Sequence, residues 1–248
     1  MKSFTTHIEE AKTPKPSAVW VLGGAASGKS TIAEQAIVQG LGFELIDTDE
    51  PLDKMLKKFG LSMTISLPKP KTAEQKANAK KPVKMADLDD PMDFFKTSKP
   101  TVTRARVVAN EITKRKNADV TSARKNVVFV ETGGNLGAVA NKKKLLEDQG
   151  YKTFAIMVGV QPMLDLSKDE NFQRVFDTIQ DRSNKRLSGG GRTVDPKILK
   201  SSLLVTQKVR DKLMPVFGKN KLFIDTSSGD PRKNIAKTKR AIQTWMKK

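Results

Sequence analysis

The segment Ala18–Thr31, AVWVLGGAASGKST, constrains the fold more than any other stretch of the chain. Ala18–Leu22 is a bare apolar run stopped by Gly23-Gly24, which reads as a buried strand. From Lys29 onward, Ile32, Ala33, Ala36 and Ile37 recur at helical spacing, and Gly40 is the expected stop. Between strand and helix stands the pattern G-x-x-x-x-G-K-[ST], complete from Gly23 to Ser30. Small residues at Gly23, Gly24, Ala25, Ala26, Ser27 and Gly28 let backbone N–H groups turn inward as an anion nest. The unpaired N–H groups and positive dipole end of the helix add to that nest. A unit of this kind is a phosphate site: Lys29 would reach the β and γ phosphates, and the Ser30 hydroxyl would ligate Mg²⁺, with Thr31 beside it. The cofactors expected are therefore ATP and Mg²⁺.

The rest of the chain repeats the strand–helix alternation. Phe43–Ile46 reads as a second strand ending in Asp47-Thr48-Asp49, and Val127–Val130 as a third ending in Glu131-Thr132-Gly133-Gly134. Thr153–Val160 and Leu222–Ile224 supply a fourth and a fifth, and Ile235, Ile242, Trp245 and Met246 mark a final amphipathic helix. Apolar strands separated by helices predict an α/β three-layer sandwich, a mainly parallel sheet of about five strands covered on both faces. Residues 1–16 read as a tail and 17–248 as a single domain. The long connection between strands two and three carries Pro68, Pro70, Pro82 and Pro91 and a Lys-Ala-rich run. It predicts a mobile or helical insert over 60–100, and helical patterning resumes over 102–116.

Composition narrows the chemistry. The 248 residues contain no Cys and one His, His7, which removes thiol catalysis, zinc–thiolate sites and a Ser-His-Asp triad. No apolar stretch approaches the ~20 residues a membrane-spanning helix needs. Residues 1–16 lack the apolar core of a signal peptide, so the chain reads as cytoplasmic, with no membrane partner. Lys and Arg number 46 against 27 Asp and Glu, a net charge of +19, and the excess is clustered. Residues 67–84 hold six Lys against one Glu, and after Asp230 the chain holds seven Lys or Arg and no acid. Such a field predicts salt-sensitive attraction to an anionic partner: a polynucleotide, an acidic protein or a phosphorylated metabolite.

Carboxylates and guanidiniums stand where ligands bind in open α/β sheets, after the strand ends. Asp47 and Asp49, two apart after strand two, would share one side of the sheet if strand geometry persists. Each is either a base or acceptor-positioner, or a turn former and helix cap. Glu131 closes strand three, where P-loop proteins place a magnesium-associated acid, and is otherwise a strand-end surface acid. Residues 172–194, FQRVFDTIQDRSNKRLSGGGRTV, put Arg182 and Arg186 four apart on one helical face, with Arg192 after three glycines. That arrangement suits a basic lid over phosphates, or equally a solvated basic helix with a flexible turn.

The segments GGAASGKST, LIDTDE, VVFVETGG and RSNKRLSGGGRTVDPKIL together resemble the zeta-toxin-like and polynucleotide-kinase-like P-loop kinases. The resemblance spans roughly 130 residues in scattered blocks. It implies ATP–Mg²⁺-dependent phosphorylation of a hydroxyl, with Lys29 on the triphosphate, Asp49 as the acceptor-activating base and Arg186 and Arg192 as lid arginines. It further implies Arg182 at the nucleotide, Asp47, Glu131 and Thr132 at the acceptor, and Ser30 and Glu131 at the metal. A nucleotide-sugar, a polynucleotide 5′ end or another hydroxyl is the implied acceptor, and a protein inhibitor of antitoxin type the implied partner. The chain departs from that family after its second Asp, where Glu50-Pro51-Leu52-Asp53 replaces an aromatic-Arg element. Two other readings stand beside the kinase: a nucleic-acid-dependent ATPase, and a nucleotide-binding structural protein without transfer activity.

Overall fold

The bare apolar runs assemble as expected, because strands whose two faces are both covered need no polar alternation. The computed structural model describes residues 15–61, 64–65, 88–188, 193–227 and 230–248. Arg192, the N-terminal tail up to residue 14 and the Lys-rich segment 67–84 lie outside the described residues. Strands β1 (Ser17–Leu22), β2 (Glu44–Ile46), β4 (Val127–Glu131), β5 (Lys152–Gly159) and β7 (Lys221–Asp225) form one all-parallel sheet in the order β2-β4-β1-β5-β7. Two short strands, β3 (Thr64–Ile65) and β6 (Thr193–Val194), pair in parallel as a separate ribbon that apolar patterning did not signal.

The helix after β1, α1, runs continuously through Lys29–Thr31, a π-helical stretch Ile32–Val38 and Gln39–Leu41. It passes through Gly40 and ends only at Gly42, whose left-handed backbone (φ 73°) closes the last turn. The remaining helices are α2 (Asp49–Lys58), α3 (Phe94–Thr97), α4 (Val102–Ser122), α5 (Leu136–Asp148), α6 (Asp169–Ser188), α7 (Pro196–Lys208) and α8 (Pro231–Met246). No described helix is long and apolar enough to cross a membrane.

Strand alternation divides the core into two layers. Val19, Val21, Val128 and Val130 pack with Ile32, Ala33 and Ile37 of α1 and Ile242 and Trp245 of α8. Trp20, Leu22 and Phe129 face the other side, against Val139 and Leu146 of α5 and Leu213, Met214 and Phe217 beyond α7. Trp20 lies between Phe129 and Phe217, with ring centroids 4.9 and 5.5 Å away. A third cluster joins Leu52, Met55 and Leu56 of α2 to Ala105, Val108 and Ala109 of α4, and a fourth ties α6 to α7 through Val175, Ile179, Leu199 and Leu203. These two satellites flank the carboxyl ends of the central strands, and the site lies between them.

Candidate nucleotide and acceptor site

Gly23–Gly28 connects β1 to α1 in a conformation that larger residues could not take. A Cβ on Gly23 would stand 2.3 Å from the Val158 carbonyl oxygen and 2.7 Å from Ser27 Oγ, so the backbone threads where no side chain fits. Gly28 is left-handed (φ 89°), as is Ala26 (φ 55°). A non-glycine residue held there stores strain of about 1 kcal/mol, the kind that accumulates where a turn is shaped for a ligand. Lys29 is 9% exposed, and its Nζ donates to the Gly24 carbonyl at 3.3 Å. Ser27 Oγ is buried with no hydrogen-bond partner among the described residues. Ser30 and Thr31 are exposed at the first turn of α1. A cradle that excludes Cβ, an orphaned buried hydroxyl and a buried ammonium over a helix start together fit a polyphosphate.

Arg182, on α6, fastens this loop from outside. Its Nη1 and Nη2 donate to Thr226 Oγ1 (3.0 Å) and the Thr226 carbonyl (2.6 Å), and Thr226 Oγ1 donates to the Ser27 carbonyl (3.0 Å). Beside the chain Arg182–Thr226–Ser27 opens a cleft of about 320 Å³ lined by Ala26, Thr31, Ile32, Thr226 and Asn234, suited in place and size to the non-phosphate part of a nucleotide. Replacing Thr226 with Val keeps the volume and removes the hydroxyl that links guanidinium to loop. We expect affinity for ATP to fall about tenfold, equivalent to ~1.4 kcal/mol, measured by calorimetric titration.

Asp225 closes β7 and shapes the same turn. Its Oδ1 accepts from the backbone N–H groups of Gln161 (2.9 Å) and Ser227 (2.8 Å). Burial acts to raise this carboxyl, but the Ser227 and Gln161 N–H groups and the Arg182 charge outweigh it and hold the group below its ordinary value. A carboxyl lowered in the folded state contributes stability that is present above its unfolded value, ~3.9, and lost as pH falls through the folded value. Asp225→Asn is therefore expected to lower the melting temperature at neutral pH by about 2–4 °C, the equivalent of ~1 kcal/mol. In melts recorded as a function of pH, that gap should close below about pH 4.

The second half of the site is α2. Asp47 Oδ1 accepts the Asp49 N–H (2.9 Å) and so satisfies the first free N–H of the helix that Asp49 begins, from one residue before its N-cap, Thr48. Pro51 lies within the first turn, where its missing N–H costs nothing. Asp53, one turn beyond Asp49 and on the same face, approaches Arg186 with Oδ2 3.6 Å from Nη2. Thus α6 reaches both halves from one face, Arg182 to the phosphate loop and Arg186 to α2. On the adjoining face of α2, a cleft of about 320 Å³ is lined by Asp47, Lys54, Met55, Lys58, Ile112 and Lys116.

Glu131 sits at the carboxyl end of β4, paired across to Leu22, and its carbonyl accepts the Gly23 N–H (3.3 Å). Its side chain follows the alternation of Phe129 and so faces α5, not α1. There Lys142 Nζ donates to Glu131 Oε1 at 2.7 Å while lying 4.5 Å from the Phe129 ring centroid. The carboxylate is thereby neutralised on the sheet face opposite Ser30. Thr132 is exposed in the next position. Among the described residues, no group of three His, Asp or Glu converges as a metal cluster. Asp53, Lys142, Thr226 and Asp225 were not singled out from sequence. Only Asp53, four residues after Asp49, had a spacing that placed it on the same helical face.

No protein-family model and no curated protein sequence matches the chain. Among solved structures it is similar to a candidate kinase from Chloroflexus aurantiacus J-10-fl, at 13% identity and a TM-score of 0.52, over 94% of this chain and 98% of that one. Lower TM-scores relate it to the PezAT chromosomal toxin–antitoxin system of Streptococcus pneumoniae (0.45, 14% identity, 83% of this chain and 67% of that chain). A gluconokinase from Sinorhizobium meliloti 1021 stands at 0.44 and 13% identity, over 95% of this chain and 99% of that one. The five-stranded parallel sheet, its strand order, the loop from β1 into α1 and the first of these likenesses establish an α/β P-loop fold similar to that of the candidate kinase.

Proposed function

We propose that the chain is an ATP- and Mg²⁺-dependent phosphotransferase that moves the γ-phosphate to a hydroxyl group. The observation that carries this reading is the convergence of two separately built halves. A phosphate nest with a buried Lys29 stands on one side, a carboxylate-bearing helix start on the other, and α6 contacts both through arginines four residues apart. A machine that only binds nucleotide has no need of the second half. Phosphoryl transfer needs it, because positioning and charge stabilisation supply most of the catalysis.

In this reading Lys29 and the N–H groups of Gly23–Thr31 hold the triphosphate, and Arg182 fixes the loop through Thr226. The Ser30 hydroxyl would hold Mg²⁺ together with the triphosphate, and the ion would supply neutralisation of the charge that develops during transfer. Asp49 accepts the acceptor hydroxyl's proton, while Asp47 positions Asp49 by accepting its N–H. Arg186 offsets charge from the α6 side, the role that the family resemblance also gives Arg192. Glu131, with Lys142 on its carboxylate, serves the acceptor side with Thr132 and not the metal. In the cleft beside Asp47, where Lys54 is paired with Glu50, Lys58 and Lys116 suit the anionic portion of a nucleotide-sugar or polynucleotide acceptor. The test is mass analysis of a panel of nucleotide-sugars, nucleosides and 5′-hydroxyl oligonucleotides after incubation with ATP. A phosphorylated product supports the reading. ATP hydrolysis stimulated by oligonucleotide with no phosphorylated product would replace it with an ATPase.

A further inference from the structure

A cleft of about 660 Å³, away from the phosphate loop, lies where the edge strand β7 meets the outer face of α8. Six cations line it, Lys219, Lys221, Lys233, Lys237, Arg240 and Lys248, and no Asp or Glu does. None of the six is in an ion pair with a carboxylate among the described residues. Among the described residues, Lys237 alone of the six has a side-chain hydrogen bond, Nζ to the Phe223 carbonyl at 3.3 Å.

The sequence builds this face. On α8, Lys233, Lys237 and Arg240 follow helical spacing, with Lys248 just beyond the helix end, while Thr238, Ile242 and Trp245 turn inward to the core. Lys219 and Lys221 come from the start of β7, at the amino ends of the strands. The cleft runs along the β7 edge of the sheet, whereas Gly23–Thr31 extends from the carboxyl end of the central strand β1. Its floor includes Phe154 and Trp245, with ring centroids 5.1 Å apart and both rings buried. The lysine stems cover that apolar floor and hold their ammonium groups outward.

We propose that this cleft docks the phosphodiester backbone of a polynucleotide. Six like charges with no counter-charge repel one another, and a polyanion that releases condensed counterions offsets that cost. Five of the six are lysines, point charges on flexible stems that follow a phosphate backbone without a fixed fork geometry. The buried rings offer no face for base stacking, so binding is sequence-independent. Because β7 and β2 are opposite edges of the sheet, the cleft stands apart from the acceptor half at α2 and holds nucleic acid as a tether, whichever hydroxyl the reaction uses.

The test is fluorescence anisotropy of the full chain with labelled single-stranded DNA and RNA of about 20 nucleotides, titrated over about 50–200 mM salt with saturating Mg-ATP present. The expected result is binding whose logarithm falls with the logarithm of salt with a slope of about −3 to −4, from four to six phosphate contacts. The triple substitution Lys221→Glu, Lys233→Glu, Arg240→Glu should weaken binding by at least about tenfold and flatten the slope by about 2. A charge-matched control, Lys114→Glu, Lys144→Glu, Lys212→Glu, should change it by less than about threefold. Thermal melts and ATP binding report whether each triple is folded, and Lys233→Gln with Arg240→Gln gives the same direction with less charge change. Equal losses in both triples, absence of oligonucleotide binding, or equally tight binding of polyglutamate at the same cleft would overturn the proposal.

Discussion

Replacing Lys29 with Met is expected to reduce phosphoryl transfer by about 10²–10³-fold, with the fold unchanged or slightly more stable. Lys29 is a buried ammonium whose Nζ has the Gly24 carbonyl as a partner, so its desolvation cost falls on the folded state. Methionine keeps the length of the aliphatic stem and removes the charge. Stability and catalysis therefore move apart in this variant. A residue present only for packing would lower both together. Thermal melts beside steady-state rates separate the two cases. A fall in melting temperature with activity retained would show that Lys29 is structural.

The carboxylates of α2 divide in the same way. Asp49→Asn is expected to lower transfer about 10²–10⁴-fold, the range for losing a positioned general base, with little effect on stability because asparagine is accepted at helix starts. Asp47→Ala removes the acceptor for the Asp49 N–H and is expected to cost ~1 kcal/mol of stability. Its effect on rate should be smaller than that of Asp49→Asn, since it displaces the base and leaves it present. Chemical denaturation and pre-steady-state rates on both variants measure the two quantities. If Asp47→Ala abolishes transfer while Asp49→Asn spares it, the roles are reversed and Asp47 is the base.

Sequence and structure agree where the information is local. The five strands were legible because each is an apolar run ended by Gly or an acid, and the phosphate loop because every position has its own steric or electrostatic reason. Local cues failed at α1, where Gly40 reads as a stop. The tolerated glycine sits inside the helix, and the left-handed turn that ends it falls to Gly42. They were incomplete at α2, where a turn former or helix cap was one reading of Asp47 and Asp49 but the helix Asp49–Lys58, with Pro51 in its first turn, was not expected. Nor did they reveal partners set by tertiary packing. Which basic group meets Glu131 depends on the docking of α5, eleven residues later in sequence. What Arg182 holds depends on β7, with Thr226 forty-four residues away. The face on which Glu131 points was readable from alternation with Phe129, and that cue separates it from Ser30.

The central claim, that the γ-phosphate passes to a hydroxyl and not to water, is tested most directly by following γ-labelled ATP. The label should be partitioned between acceptor and free phosphate for the unmodified chain, Lys29→Met and Asp49→Asn, with saturating Mg²⁺ and a cell extract as the acceptor pool. The account predicts label on an acceptor for the unmodified chain, little in either form for Lys29→Met, and loss of acceptor label for Asp49→Asn with ATP still bound. Label appearing only as free phosphate, in equal amounts with and without Asp49, would contradict it.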